Sequence, residues 1–293
     1  MLQSVPIRLA FALCLLGSSV ATAQVAVTDD LHRTVSLRAP AQRIVSLAPS
    51  ITESLFAIGA GFQVVGVTDY CNYPAETKLK TRVGGMTTPS IETIAALRPD
   101  LILVSMEGNL REDFSHLTAL GVPVAVTNPR SLEGIYGSLT MLGTLSGHAD
   151  SAAKVIRVLR AREKAIAGAN TPNAPRALLL VSIQPLIAAG DRTFITELLT
   201  RAGAQNVAAG VKMTYPTLNR EAVVHDDPDV IFVMSDVLST PEALVQMYPE
   251  WKRLSAVRNG RVHRIDADIV SRPGPRAVDG LQILSSFIHR NRP

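Results

Sequence analysis

The segment Ile91-Glu-Thr-Ile-Ala-Ala-Leu-Arg-Pro-Asp-Leu-Ile-Leu-Val104 contains a helix-to-strand unit whose pattern decides the fold. Its first part predicts a helix that ends before Pro99, and its last four apolar residues predict a buried strand. The segment Glu221-Ala-Val-Val-His-Asp-Asp-Pro-Asp-Val-Ile-Phe-Val233 repeats this pattern. In both segments a glutamate lies seven residues before Pro-Asp, and an apolar run follows. The repetition indicates that one structural unit occurs twice along the chain.

A second matched pair lies upstream of each of these segments. Thr52-Glu53 is followed, six residues after the glutamate, by Gly59-Ala60. Thr196-Glu197 is followed at the same distance by Gly203-Ala204. Helix–strand units look alike in many α/β proteins, which explains the apolar matches but not a glutamate at the same distance both times. The two ordered matches therefore predict two pseudo-equivalent lobes.

Strand and helix signals alternate through the first half of the chain. Residues 25–37 predict a hairpin that turns at Asp29-Asp30. Residues 43–47 and 64–67 are β-branched runs that predict strands, with a helix over residues 51–58 between them. Ser50 has a glutamate three residues on, the spacing of a capping box, and is the predicted N-cap of this helix. Such alternation predicts an α/β fold with a mainly parallel sheet.

The middle of the chain differs from both halves. Residues 150–169 contain no proline and one late glycine, Gly168, and apolar residues recur there mostly at helical spacing. A turn-rich break follows before a new strand over residues 176–181. We favour one long interlobe helix over a flexible linker. The predicted division is a lobe over residues 24–145, a helical connection over 146–172 and a second lobe over 173–293.

The composition bounds the class of protein. The chain has 293 residues, of which 47% are hydrophobic and 18% are charged. That is enough apolar material for about two domains, and it excludes intrinsic disorder. The formal net charge is only +4 and no basic run occurs, which disfavours a nucleic-acid-binding function.

The first 23 residues have the features of a secretory signal peptide. Arg8 precedes a short apolar stretch, and Ala21-Thr22-Ala23 is an A-x-A cleavage pattern. The residue before Cys14 is not the small residue that a lipid-anchor motif needs, so we expect cleavage without lipidation and an exported mature protein. The mature chain then keeps one cysteine, Cys71, which cannot form an intrachain disulfide and is predicted to be a packed thiol.

Signatures of catalysis are missing from the sequence. It has no G-x-S-x-G nucleophile elbow, no P-loop and no H-E-x-x-H pair. Gly59-Ala-Gly61 begins like a dinucleotide-binding loop, but Val64 takes the place of the third glycine. The six histidines are widely scattered and predict no metal site. Two similar lobes on an exported chain instead suggest a ligand cleft between them.

Three segments carry a resemblance to a known family: Arg43-Ile-Val-Ser-Leu-Ala-Pro-Ser-Ile-Thr-Glu53, Val65-Gly-Val-Thr-Asp-Tyr-Cys-Asn-Tyr-Pro74 and Ile91-Glu-Thr-Ile-Ala-Ala-Leu-Arg-Pro-Asp100. With these segments the chain resembles the periplasmic substrate-binding proteins of ABC importers for cobalamin, haem and iron-siderophores. Within that group the resemblance is closest to the cobalamin-binding proteins. It runs from about residue 43 to the C-terminal helix.

The resemblance implies a fold and a function together. The fold is two Rossmann-like lobes joined by one long helix, with the ligand cleft between the lobes. The function is the capture of cobalamin, a corrinoid, by a monomer that delivers it to an inner-membrane ABC permease with a cytoplasmic ATPase. No reaction is catalysed, and cobalamin is a transported ligand, not a cofactor. The alternative is a haem or iron-siderophore binding protein of the same fold, in which a tyrosine could ligate iron.

The resemblance also assigns ligand-binding residues. Tyr70 matches the tyrosine that lies against the corrin ring, although a tyrosine could also simply cap a sheet edge. Tyr215 falls where the cobalamin binders have a tryptophan. Another family tryptophan is missing near Gly84-Gly-Met86, where Met86 or Thr87 would substitute for it. The second-lobe segment that touches the amide periphery of the ligand corresponds to Asp268, Ile269, Val270, Ser271 and Arg272.

Two readings of that second-lobe segment are open. Asp268 and Arg272 are four residues apart and could form an ion pair within a helix. Pro273 and Pro275 favour instead a loop followed by a helix that starts near Pro275, which leaves both charged side chains free for the cleft.

Permease docking is assigned to one carboxylate in each lobe. Glu92 and Glu221 match the lobe-surface carboxylates that meet arginines on the permease in the family. The alternative is a purely structural role, because both lie in first helical turns, where any acidic side chain interacts favourably with the helix dipole. Their matched placement in the two lobes favours the docking role.

Overall fold

The computed structural model describes residues 24–109, 111–166 and 173–290. The predicted signal peptide, with Cys14 and the cleavage motif, lies outside the described residues. The last residues of the predicted interlobe connection, 167–172, also lie outside them.

The first lobe alternates strands and helices as the sequence predicts. Its strands are β1 (Val25–Thr28), β2 (Thr34–Leu37), β3 (Ile44–Ser46), β4 (Val64–Val67), β5 (Thr81–Arg82), β6 (Leu101–Ser105) and β7 (Val124–Thr127). Its helices are α1 (Pro49–Ala57), α2 (Ile91–Ala96), α3 (Arg111–Ala119) and α4 (Leu132–Ser146). Helix α5 (Ala149–Ile166) follows and leads towards the second lobe.

The second lobe repeats the alternation after α5. Its strands are β8 (Arg176–Ile183), β9 (Leu186–Ala188), β10 (Gln205–Asn206), β11 (Val230–Met234) and β12 (Val262–Ile265). Its helices are α6 (Phe194–Arg201), α7 (Arg220–Asp226), α8 (Pro241–Met247), α9 (Ser255–Arg258), α10 (Ala267–Ser271) and α11 (Ala277–His289). Short 3-10 turns occur at Gly61–Gln63, Ala75–Leu79, Val207–Gly210 and Pro249–Arg253.

The two sheets share one topology. The first has the order β5-β4-β3-β6-β7 with all neighbours parallel, and the second has the parallel order β10-β8-β11-β12. In each, the chain leaves its first strand to one side and then returns to the other side, which is the arrangement of a doubly wound sheet. Strand β9 adds to β8 in antiparallel fashion, and β1 and β2 form the predicted separate hairpin. The prediction of two similar Rossmann-like lobes is confirmed.

The central strands β6 and β11 are apolar along almost their whole length because both faces of each sheet are covered. Along β6, Leu101 and Leu103 face one buried cluster while Ile102 and Val104 face another. Strand β11 behaves in the same way in the second lobe. The first of these clusters contains buried residues of both lobes and of α5, so the apolar core is continuous from one lobe to the other.

Helix α5 connects the lobes as an amphipathic rod. Ala152 and Leu159 are buried, whereas Val158 on another face is 60% exposed. The helix packs against α4 of the first lobe and α11 of the second. No helix in the described ranges is long and apolar enough to cross a membrane. The exact bounds of the lobes stay a proposal, because the connection continues into residues outside the described part.

The start of α1 differs from the prediction. The helix begins at Pro49, so Ala48 is its N-cap and Ser50 lies inside the first turn. The predicted capping box is therefore wrong. Glu53, which the capping box would turn back toward the N-cap backbone, is buried instead and bonds to residues of the second lobe.

Candidate functional site

The candidate site lies at the carboxyl ends of the parallel strands, where doubly wound sheets place their ligands. Tyr70 follows β4 and Met86 follows β5. Tyr215 lies in the second lobe on the segment between β10 and α7. Large apolar side chains are exposed on these loops, including Tyr70 at 61% and Tyr215 at 46%. Exposed aromatic side chains grouped on opposing loops are typical of a binding surface.

Contacts connect Tyr70 to Met86 and then to the loop after β6. A Cβ atom at Gly85 would lie 3.9 Å from Cε2 of the Tyr70 ring, so the ring passes close to this glycine. A Cβ atom at Gly108 would collide with Cε of Met86, so the end of the methionine side chain packs directly on this glycine. Asn109 Nδ2 donates a 2.7 Å hydrogen bond to the carbonyl of Met86. Tyr70 and Met86 thus belong to one continuous surface of the first lobe.

Tyr215 faces charged residues of the first lobe. Burial of its phenol raises the pKa of Tyr215, and the negative charge of Glu107 raises it further, while Arg130 opposes them. Glu107 and Arg130 form a 3.2 Å ion pair on the first lobe. Glu107 is the neighbour of Gly108 in the chain. The first-lobe surface that begins at Tyr70 therefore extends to the residues that face Tyr215 of the second lobe.

A cavity of about 730 Å³ opens at this end of the cleft. The first lobe contributes Arg130, and the second lobe contributes Asp191, Arg192, Lys212, Met213, Thr214 and Tyr215. The guanidinium of Arg130 donates a 3.2 Å hydrogen bond to the carbonyl of Arg192, so the two lobes touch directly here. This volume lies within the range of small-molecule pockets.

A buried ion network joins the lobes at the Tyr70 side. Glu53 on α1 has a side chain that is only 2% exposed. Nη1 of Arg272 donates to it at 3.0 Å, and Nε and Nη2 of Arg276 donate to it at 2.8 and 2.7 Å. The hydrogen bonds that Arg276 donates to Glu53 hold the pKa of Arg276 above its ordinary value, against the effect of burial. We name Glu53, Asn72, Asp268, Arg272 and Arg276 the interlobe ion network.

The same network holds the loop that carries Tyr70. Arg272 donates to Oδ1 of Asn72 at 2.7 Å and to the backbone carbonyl of Tyr70 at 3.3 Å. Asn72 in turn donates to Asp268 at 2.8 Å. The guanidinium of Arg276 lies 4.3 Å from the centre of the Tyr73 ring, a cation–π contact across the lobes. The position of Tyr70 therefore depends on charges of the opposite lobe.

The segment predicted as a loop is a short helix, and this expectation is corrected. Asp266 caps α10 by accepting hydrogen bonds from the backbone nitrogens of Asp268 and Ile269 at 2.8 and 3.2 Å. The helix ends at Ser271, before the first proline can interrupt it. Arg272 Nη2 lies 2.6 Å from Oδ1 of Asp268, so the two side chains are paired with each other and are not free.

The remaining residues of this segment have different surroundings. Val270 is 1% exposed and lies in the core, which corrects its assignment to the cleft. A Cβ atom at Gly280 would lie 3.4 Å from Cγ2 of Ile269, so Ile269 packs towards α11. The hydroxyl of Ser271 is exposed and donates to the carbonyl of Ala267 at 2.6 Å.

Glu92 and Glu221 occupy equivalent places in the two lobes. Each is the second residue of its helix, α2 or α7, and each is exposed. Ser90 caps α2 with a 3.2 Å bond from Thr93, and Asn219 caps α7 with a 2.6 Å bond from Ala222. Neither glutamate forms an ion pair with any residue in the described ranges.

Two side chains, those of Cys71 and Trp251, are structural. Cys71 is fully buried, and its sulfur lies 3.2 Å from the hydroxyls of both Thr52 and Thr68. Trp251 is also fully buried, and its ring is tilted against that of Tyr248 with 4.8 Å between the ring centres. Neither side chain is available to a ligand.

Sequence reasoning missed the cations of the site. Arg130, Arg192 and Lys212 come from three loops that are far apart in the chain, and no spacing links them. Arg276 lies four residues after Arg272, but nothing in the sequence indicates that Glu53 is their common partner.

Comparisons with known proteins agree with the fold. A family model described as periplasmic binding protein matches residues 44–269. A vitamin B12-binding protein of Vibrio cholerae serotype O1 is 30% identical over 85% of this chain and 90% of its own length. The crystal structure of the periplasmic vitamin B12 binding protein of Vibrio cholerae superposes with a TM-score of 0.77 at 30% identity, covering 85% of this chain and 97% of that one.

A haem-binding protein is structurally as similar. The periplasmic haem-binding protein from Roseiflexus sp. RS-1 superposes with a TM-score of 0.77 at 27% identity. The superposition covers 85% of this chain and 98% of that one. Similarity of this extent to binders of both ligands gives the class of protein and leaves its ligand to be argued from the cleft.

Proposed function

The chain belongs to the periplasmic binding protein family, and we propose that it captures a cobalamin-like corrinoid and delivers it to an inner-membrane ABC permease. Proteins of this family serve ABC transporters as substrate-binding components and are not enzymes. They carry no catalytic cofactor, so a bound corrinoid is cargo.

The observation that carries the proposal is the pair of exposed tyrosines on opposite lobes of the cleft. A corrin is a large, mostly apolar disc, and aromatic side chains provide apolar surface of the right shape for its faces. Tyr70 and Tyr215 supply one such side chain from each lobe, and Met86 extends the surface beside Tyr70. The amides at the corrin edge need hydrogen-bond partners. The exposed Ser271 hydroxyl offers one, and the Asp268 carboxylate, although paired with Arg272 and Asn72, is 36% exposed and can accept a further bond.

Haem is the second candidate because the same tyrosines are phenols. A phenolate can serve as an axial ligand of haem iron, and cobalamin has no need of one from the protein. The structural similarity to a haem-binding protein of 27% identity favours keeping this candidate. Iron-siderophores belong to the same alternative.

Delivery is proposed to use Glu92 and Glu221. The two glutamates occupy equivalent, exposed positions and form no ion pair within the described residues. Their side chains therefore present one negative charge on each lobe of a monomer. Arginines of a permease would meet these carboxylates in charge-assisted hydrogen bonds, which are among the strong ones. A cytoplasmic ATPase would then drive uptake. Cleavage of the predicted signal peptide would place the mature protein in the periplasm.

The experiment that tests the proposal is an absorption spectrum. The purified protein is mixed separately with cobalamin and with haem, desalted, and measured. Retention of the cobalamin spectrum supports the proposal, and retention of haem alone transfers the function to the second candidate. If neither chromophore stays with the protein, both candidates are rejected.

A further inference from the structure

The two ends of the cleft carry different net charge. At the Tyr70 end, the interlobe ion network balances two arginines, Arg272 and Arg276, with two carboxylates, Glu53 and Asp268. All four charges bond within the network, and both arginine side chains are mostly buried. The network itself therefore contributes no net positive charge at this end, and the nearby guanidinium of Arg82 is occupied by the backbone carbonyls of Thr68 and Cys71, to which it donates at 2.6 and 2.9 Å.

The Tyr215 end has a positive excess. Arg130, Arg192 and Lys212 line its cavity, against two carboxylates, Glu107 and Asp191. Lys212 is exposed and forms no ion pair or hydrogen bond to a side chain anywhere in the described residues. The side chain of Arg192 is 82% exposed, and its 3.3 Å contact with the adjacent Asp191 is a weak surface pair.

The backbone keeps these cations together. The amide of Gly190 donates a 2.7 Å hydrogen bond to the carbonyl of Thr214, which ties the turn before Arg192 to the segment after Lys212. A Cβ atom at Gly190 would collide with the carbonyl of Met213, so the two segments are in direct backbone contact. Arg192 itself has a φ of +57°, a conformation rarely adopted by residues with a side chain. The arginine and the lysine are therefore held on one wall.

The opposite wall completes the arrangement. Arg130 of the first lobe donates a 3.2 Å hydrogen bond to the carbonyl of Arg192, so its guanidinium lies beside the second-lobe cations. Met213 and Tyr215, both about half exposed, border the same cavity. A cavity with apolar side chains and a cationic rim suits a ligand whose apolar body carries a negative group at its edge.

We propose that Arg130, Arg192 and Lys212 form an oxyanion subsite, which binds a carboxylate or phosphate at the periphery of the captured chelate. This inference rests on the proposed function and adds the orientation of the ligand to it: the oxyanion points towards Lys212, and the amide or apolar edge points towards the interlobe ion network. Two chelates could supply the oxyanion. Haem carries two carboxylates at one edge, and cobalamin carries one phosphodiester in its nucleotide loop.

The test uses ligand pairs that differ in the oxyanion. Affinities of the full-length mature protein are measured for haem and its dimethyl ester, and for cobalamin and cobinamide, which lacks the whole nucleotide loop with its phosphodiester. For the second pair, only the part of the difference that R192Q combined with K212Q removes is assigned to the oxyanion. We expect the charged member of at least one pair to bind about tenfold more tightly, and the pair that shows the difference identifies the source of the oxyanion. Raising the salt concentration from 0.15 to 1 M shortens the Debye length from about 8 to about 3 Å, so it should narrow that difference.

Variants locate the effect. R192Q combined with K212Q should remove most of the preference for the charged member, and it should lower the affinity for the charged member more than that for the uncharged member. The matched control is K154Q, since Lys154 is exposed on α5. If wild-type protein binds haem or cobalamin but the double variant keeps the full preference, the oxyanion subsite is wrong and the proposed function stands. If the wild-type protein binds none of the four compounds, the proposed function and the subsite are rejected together.

Discussion

Glu53 and Glu197 occupy matching places in the two lobes but have different partners. Each follows a threonine in the first helix after the central strand of its sheet. Glu53 is 2% exposed and binds two arginines of the other lobe. Glu197 is 27% exposed and pairs at 2.6 Å with Arg201, one turn away in its own helix. The lobes therefore share a fold but differ in their ion pairs: Arg272 and Arg276 of the second lobe reach Glu53 on α1, whereas Glu197 pairs within its own helix.

The largest expected effect separates these two glutamates. Glu53→Ala should lower the free energy of unfolding by about 3 kcal/mol, because it leaves two mostly buried arginines without their shared carboxylate. Glu197→Ala should lower it by about 1 kcal/mol or less, because a half-exposed pair within one helix contributes little. Urea unfolding followed by circular dichroism measures both.

Two further variants sharpen this result. Glu53→Gln keeps the volume and removes the charge, so it should also destabilise, though by less than the alanine. Glu133→Gln, which breaks the exposed 2.6 Å pair with Arg160, is the control for loss of any ion pair. Equal losses for Glu53→Ala and Glu197→Ala would show that the interlobe ion network does not hold the lobes.

The matched glutamates also show which features of the structure could be predicted from the sequence. The two-lobe α/β fold could be predicted because strand runs, helix stops and the Glu-to-Pro-Asp spacing depend on neighbours in the chain. The capping box at Ser50 was wrong for the opposite reason, since the partners of Glu53 lie more than 200 residues away. Local spacing cannot show that a carboxylate has a partner on another lobe.

In the candidate site, too, some residues could be predicted from the sequence and others could not. Tyr70, Met86 and Tyr215 could be assigned only by resemblance, and their binding role stays a prediction. In the structure Tyr70 and Tyr215 are exposed on loops of different lobes, and Met86 is partly exposed. The loop predicted at Asp268 was wrong because Asp266, two residues upstream, caps a helix too short to show a periodic pattern. The cations of the oxyanion subsite could not be predicted because they meet only after both lobes have folded.

The second comparison sets Tyr70 of the first lobe against Tyr215 of the second. Tyr70→Ala and Tyr215→Ala should each lower ligand affinity by about 1–3 kcal/mol, the cost of losing a large aromatic contact. Isothermal titration calorimetry with the chelate that the protein retains measures the change. The control is Phe62→Ala, since Phe62 is 71% exposed and contacts His148, away from the cleft loops.

The phenol oxygens distinguish the candidate ligands. Tyr70→Phe and Tyr215→Phe keep the ring, so they should bind a corrinoid almost normally. With haem, loss of a charge-transfer band in one of the two variants would identify the ligating tyrosine and the lobe that supplies it. Unchanged affinity in both alanine variants would mean that these rings do not form the cleft walls.

The third comparison concerns the docking glutamates. Glu92→Gln and Glu221→Gln should each reduce uptake in cells, and the double variant should reduce it further, while ligand affinity stays constant. If the carboxylates only favour their helix N-termini, each change costs about 0.3–1 kcal/mol of stability and uptake is normal. Measurement of uptake, affinity and thermal midpoint for all three variants separates the two roles. Normal uptake by the double variant would refute docking.

The smallest expected effect is on the pH dependence of the free energy of unfolding. It is compared for one hydrogen-bonded aspartate in each lobe, Asp29 in the first and Asp227 in the second. Burial of Asp29 works to raise its pKa, but hydrogen bonds from Arg33 and Leu31 outweigh burial and leave the pKa below its ordinary value. The pKa of Asp227 is lowered by hydrogen bonds from the backbone and hydroxyl of Ser255, at 2.6 and 2.7 Å. Both carboxylates connect distant segments of their lobes.

A lowered pKa in the folded state fixes the sign of the pH dependence. The stabilisation from each carboxylate is complete above the unfolded pKa of about 3.9 and is lost as the pH falls through the lower folded value. In the wild-type protein the free energy of unfolding should fall as the pH drops below about 4, and Asp29→Asn should make this fall less steep. Asp227→Asn should have a smaller effect, because the Asp29 side chain is fully buried and that of Asp227 is not. Asparagine tolerates the positive φ of 38° at residue 227, so backbone strain does not confuse the comparison. An equal or steeper acid slope in Asp29→Asn would show that this carboxylate does not stabilise the first lobe through its charge.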